Sequence, residues 1–124
     1  DPALEEFYRR LFACLRLPAF RDGKWRLLDC NPAWEANPSH DGYIAFAWER
    51  GEERFLVVVN YAPDRGQCYV PLPWADLAGR AVLLRDLMGP ARYDRDGGSL
   101  LSPGLYLDLP GWGYHVFEVA AEER

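Results

Sequence analysis

Gly42-Tyr43-Ile44-Ala45-Phe46-Ala47-Trp48-Glu49-Arg50-Gly51-Glu52-Glu53-Arg54-Phe55-Leu56-Val57-Val58-Val59-Asn60-Tyr61 reads as a single β-hairpin. Two runs rich in β-branched and aromatic residues flank Arg50-Gly51-Glu52-Glu53, a polar loop whose glycine supplies the left-handed conformation of a tight reversal. Ile44, Phe46 and Trp48 alternate with Tyr43, Ala45 and Ala47. Phe55, Val57, Val59 and Tyr61 alternate with Leu56 and Val58. Strands apolar on both faces require cover on both faces, so both arms are expected to be central. The hairpin is scaffold, and any chemistry lies at its ends or outside this chain.

Around the hairpin the remaining chain breaks into short strands. Residues 1–16 form the one strong helix signal: Asp1 as cap, Pro2 at the first helical position, and Glu5 and Glu6 in the first turn, spaced to pair with Arg9 and Arg10. Its apolar arc is Leu4, Phe7, Tyr8, Leu11, Phe12, Cys14 and Leu15. Pro18 ends it. Trp25 to Asp29 is a strand candidate, and Asn31 to Asp41 is the longest irregular connection before the hairpin. Gln67 to Leu72 follows a turn, with Pro71 marking an edge or a strand end. Ala81 to Leu87 reads as a strand with a helical alternative, Met88 to Pro103 as mostly loop with a turn at Asp96-Gly97-Gly98, and Leu105 to Leu109 and Tyr114 to Val119 as closing strands. About seven strands at this spacing predict a mainly β fold, an antiparallel, Greek-key-like β-sandwich with one N-terminal amphipathic helix.

Composition sets limits on function. At 124 residues and 49% hydrophobic content the chain supports one real core. A net charge of −5 with scattered signs offers no basic stripe for nucleic acid, and no apolar run approaches the roughly 20 residues of a membrane span. Cys14, Cys30 and Cys68 are odd in number and lack CxxC spacing, which favours free buried thiols over a disulfide framework or a metal site. No signal peptide opens the chain, and a cytoplasmic protein is expected. The sequence begins directly on a helix cap, as a chain whose natural N-terminus lies upstream would.

No motif points to catalysis, a cofactor or a metal. His40 lies in a Pro/Ser/Asp loop, and His115 within the last strand reads as a hydrogen-bonded, partly buried imidazole. Ser99 and Ser102 lack a nucleophile elbow. Glu35 with Asp41, and Asp94 with Asp96, are carboxylate pairs in loops, where solvation is the ordinary role. Neither spacing defines the cleft that glycoside hydrolysis requires. Asp94 to Gly98 is distantly like a calcium loop but lacks the remaining oxygen ligands. Trp34, Trp74 and Trp112, all near loops, would form a carbohydrate-binding platform if exposed; the competing reading makes them caps on the core.

Taken in order, the Phe-Tyr-Arg-Arg-Leu helix, Trp25 to Cys30, Phe55 to Pro63 and Leu109 to Val119 resemble the C-terminal region of alpha-amylase-family enzymes, glycoside hydrolase family 13. The resemblance covers nearly the whole chain. It is most telling where the family has a Leu-Val-Val-Asn-(Phe/Tyr) strand and a closing Leu-Pro-Pro-x-(Gly/Ala) turn; here Gly111 replaces the second proline. It implies that residues 1–17 are the last helix of a (β/α)₈ barrel and residues 18–124 the sandwich called domain C, a generally non-catalytic region that stabilises the barrel and binds sugar in some members. The family's catalytic carboxylates lie on the barrel and map to no position here. The partners implied are the barrel of the parent chain and, in some members, an α-glucan. Without the barrel, Leu4, Phe7, Tyr8, Leu11, Phe12 and Leu15 are expected to seek a second copy of this chain.

Overall fold

The computed structural model describes residues 1–123 as two antiparallel sheets packed face to face behind an N-terminal helix. Helix α1 spans Pro2–Leu15; Asp1 caps it by accepting from the Ala3 N–H at 2.9 Å. Glu6 alone takes both arginines, bonding Arg9 three residues on and Arg10 four residues on. Those partners hold its carboxyl down at about 2. Pro18 does more than end α1: it sits at the cap of a second, four-residue helix, α2 (Ala19–Asp22).

Strands β1 (Lys24–Leu28), β2 (Asn31–Pro32), β3 (Tyr43–Arg50), β4 (Glu53–Asn60), β5 (Gly66–Val70), β6 (Ala81–Asp86), β7 (Arg92–Asp96), β8 (Leu105–Leu109) and β9 (Tyr114–Ala121) follow, with α3 (Gly97–Leu101) between β7 and β8. The larger sheet has the order β1-β3-β4-β9-β6-β7 and the smaller β2-β5-β8. The quoted stretch is indeed the β3–β4 hairpin, closed at Arg50↔Glu53 by Gly51 at φ +61°. Met88 to Pro103 corrects the expectation of a loop, since it holds β7 and α3. Asp96 is the helix cap there, accepting from the Ser99 N–H at 3.1 Å.

The core lies between the sheets. Tyr43, Ala45, Ala47, Leu56, Val58, Phe117, Val119, Val82 and Leu84 of the large sheet meet Cys68, Val70, Leu105, Leu107 and Leu109 of the small one. Tyr43 also ties the sheets by polar bonds: its phenol donates to the Gly66 carbonyl at 2.7 Å and accepts from the Leu109 N–H at 3.0 Å, and burial pushes it up to about 12. Tyr43→Phe keeps the ring but strands both backbone groups. It should cost about 2 kcal/mol in chemical denaturation, and an unchanged midpoint would show that the tether is idle.

Candidate interaction surface

Only one face of the hairpin is fully covered. Strand register places Trp25, Leu27, Ile44, Phe46, Trp48, Phe55, Val57, Val59, Tyr114 and Val116 together on the outer face of the large sheet. Phe20 from α2 covers one end, with ring centroids 5.0 Å from Phe55 and 5.9 Å from Trp48. Beyond it Trp25, Leu27, Ile44 and Tyr114 are exposed, Leu27 by 63%, and Phe46, Val57, Val59 and Val116 are half-buried. The expectation of cover on both faces therefore fails within this chain.

Helix α1 extends the same surface. It docks through Cys14, whose Sγ lies 3.9 Å from Met88 Sδ, and through Arg10, which donates to the Met88 carbonyl at 2.9 Å. That leaves Leu4, Tyr8, Phe12 and Leu15 exposed, Phe12 by 53%, with Phe7 and Leu11 half-buried. Phe7 meets Tyr114 edge-on at 6.1 Å, so the helix arc and the sheet face run into one another. Monomeric proteins rarely leave so many large apolar side chains contiguous and in water.

The three tryptophans do not form one platform. Trp74 is corrected to a core residue, 4% exposed, roofed by the Arg54 guanidinium at 5.1 Å, which is itself held bidentately by Asp76 at 2.9 and 2.7 Å. Trp34 is 54% exposed in the connection after β2. Trp112 is 56% exposed at φ +64° and meets Tyr61 edge-on at 5.2 Å.

Glu35, Asp41 and Asp94 are exposed, and His40 Nε2 sits 3.2 Å from Asp41. Among the described residues no group of three or more His, Cys, Asp or Glu is placed to hold a metal ion, and no helix is long and apolar enough to cross a membrane. Neither Glu35 nor Asp41 lines the groove of about 480 Å³ beside the hairpin tip, where Arg54, Asp76 and Arg80 form an ion-pair network. His115 is hydrogen-bonded as read from sequence: its Nδ1 donates to Asp86 at 2.7 Å.

Burial works against the Asp86 charge. Hydrogen bonds from His115 and from the Met88 and Val116 N–H groups outweigh it and hold the carboxyl below its ordinary value. A depressed folded pKa contributes stability above the unfolded value and loses it as pH falls through the folded one. Unfolding midpoints from about pH 5 to about pH 3 should therefore drop less steeply in Asp86→Asn than in the parent sequence. Equal slopes would remove Asp86 from the acid response.

Asn60 is the polar hub that strand-pattern reading passes over. It is 1% exposed, and its amide nitrogen lies 2.9, 3.1 and 3.1 Å from the carbonyls of Asp64, Leu109 and Pro110. Its backbone bonds Trp112 and Gly113. The two stretches that carry the family resemblance thus meet at one side chain. Gly111 has a local reason too, since a Cβ there would sit 2.2 Å from the Pro63 carbonyl oxygen.

No family model and no curated relative matches the chain. Solved structures do. An Anoxybacillus alpha-amylase aligns over 100% of this chain and 24% of its own, at 19% identity and TM-score 0.65. The trehalulose synthase MutB from Pseudomonas mesoacidophila MX-45 aligns over 97% of this chain and 18% of its own, at 23% identity and TM-score 0.59, and a MutB mutant in complex with glucose gives 0.60. The expected resemblance is met at the level of fold: this chain has the architecture of a segment of those enzymes and spans about a fifth to a quarter of their length.

Proposed function

We propose that this chain is the non-catalytic C-terminal accessory region of an alpha-amylase-family hydrolase or transglycosylase acting on α-glucans or related sugars, and that it stabilises the catalytic barrel by covering it. In this reading α1 is the last barrel helix and residues 18–124 are the accessory sandwich. The observation that carries the proposal is the continuous apolar surface formed by the outer face of β1, β3, β4 and β9 with the α1 arc. The likeness to segments of much longer enzymes supports such a partner, because most of each matched chain lies outside the match.

The direct test joins the chain to the coding sequence upstream of Asp1. A (β/α)₈ barrel carrying the family's carboxylates, with activity that falls when residues 18–124 are removed, supports the reading; an unrelated upstream domain overturns it. Alone, the chain should be inert on starch and should self-associate through the uncovered arc. Sedimentation at rising concentration checks this, with Phe12→Glu expected to return the chain to monomer, since burying even four such side chains is worth about 1.5 to 3 kcal/mol each before ordering costs. A wild-type chain monomeric at high concentration would contradict it.

A second reading is favoured by the exposed Trp112–Tyr61 pair, which presents a ring surface on which a sugar C–H face would stack. Calorimetric titration with maltoheptaose separates the two. The accessory reading expects no saturable heat, whereas binding lost on Trp112→Ala with the fold intact selects the carbohydrate-binding module.

A further inference from the structure

Strand β1 ends the large sheet and pairs with β3 alone. The direction of its remaining backbone groups follows from the hairpin beside it. The Tyr61 N–H donates to the Gly42 carbonyl at 2.7 Å, and in an antiparallel ladder such bonded pairs recur at every second residue. Ile44, Phe46, Trp48 and Arg50 therefore bond β4, and Tyr43, Ala45, Ala47 and Glu49 turn their backbone toward β1. Lys24, Arg26 and Leu28, opposite Glu49, Ala47 and Ala45, take those bonds. The N–H and C=O groups of Trp25 and Leu27 are left pointing out of the sheet edge, and among the described residues no loop backbone bonds them.

The side chains beside this edge are open as well: Lys24, Trp25, Arg26 and Leu27 are all exposed. Trp25 and Leu27 share the outer face, with the Trp25 ring 6.0 Å from Phe46, while Lys24 and Arg26 leave by the other face. Glu49 lies opposite Lys24, yet neither Lys24 nor Arg26 has an ion pair among the described residues. We infer that the β1 edge is a docking site for an extended acidic segment of a partner protein, which adds one further strand antiparallel to β1. Its apolar residues lie opposite Trp25 and Leu27, and its carboxylates, at the alternate positions, lie opposite Lys24 and Arg26. Backbone bonds to Trp25 and Leu27 supply affinity, and the alternating side chains supply selectivity.

Charge selects this occupant over a second copy of the chain. Joining two β1 strands about Arg26 sets Arg26 against itself, and joining them about Trp25 sets Lys24 against Arg26; like charges directly opposite one another oppose pairing. Joining them about Leu27 runs Trp25 against Asp29, past the end of the strand. The inference does not depend on a covering barrel, because the segment is held by the backbone edge and by the basic pair, neither of which belongs to the apolar surface.

The experiment titrates the dilute, isotope-labelled chain with end-blocked synthetic peptides of about six residues, one alternating valine with glutamate and one alternating valine with lysine. The glutamate peptide should shift the β1 amide resonances saturably and slow hydrogen exchange at the Trp25 and Leu27 amides by roughly tenfold or more, and the lysine peptide should bind more weakly. The charge-reversed double variant Lys24→Glu, Arg26→Glu changes only exposed side chains and should invert that preference. N-methylation separates strand addition from simple charge attraction. On the valines, whose amides face Trp25 and Leu27, it should abolish binding; on the glutamates it should leave binding intact. Four results would overturn the inference: no saturable change at β1, equal binding of the two peptides, indifference to methylated valines, or β1 shifts that appear with chain concentration alone.

Discussion

Replacing Asn60 by leucine should lower the unfolding free energy by about 3 kcal/mol, or roughly 12 °C in midpoint for a chain of this size, although the substitution adds apolar volume to a buried site. The reason is what it leaves behind. The Asp64 and Leu109 carbonyls accept from this amide nitrogen, as does the Pro110 carbonyl, which also takes the Gly113 N–H at 2.9 Å, and a buried acceptor left without a donor costs about 1 to 3 kcal/mol. Asn60→Asp, nearly isosteric, distinguishes this account from simple packing. It presses a carboxylate against three carbonyl oxygens, which raises the folded pKa above the unfolded one. Stability of that variant should therefore increase as the pH is lowered and the carboxyl regains a proton to donate. A midpoint within 2 °C or so of wild type for Asn60→Leu would show that the hub is dispensable.

The second large effect is expected only in context. In the isolated chain, Leu27→Glu and Ile44→Glu alter side chains already in water, and each should change stability by less than about 1 kcal/mol. Under the proposed function, the same substitutions in the longer protein would put unpaired charges into a covered apolar seam, at a cost of at least about 3 kcal/mol. Thermal inactivation of the parent should then be markedly faster while the isolated chain melts almost as before. Equal effects in both settings would mean that the outer face has no partner in the longer protein.

The hairpin was legible in sequence because a β-branched run, a polar turn and a glycine coincide there, and even its doubly apolar character was visible. What covers that second face was not, since the covering surface belongs to another part of a longer protein in the reading adopted here. Strand β7 escaped notice because Arg92–Asp96 contains one apolar residue, Tyr93, which is sufficient for an edge strand paired on one side to β6. α3 begins with two glycines, poor helix formers, and is held by the Asp96 cap and burial of Leu100 rather than by propensity. Trp74 lies near prolines, but adjacency to a loop does not expose a ring that Arg54 can roof. Asn60 had a faint signal: it continues the inward phase of Leu56 and Val58, and an amide in that phase must find partners in the core.

Hydroxyl-radical footprinting of Tyr8, Phe12, Leu27 and Ile44, in the dilute isolated chain and in the full-length parent, tests most directly whether the apolar surface is a barrel-covering interface. All four are exposed here. The account predicts that all four are modified several-fold more slowly in the parent, and together; modification at the same rates in both would contradict it.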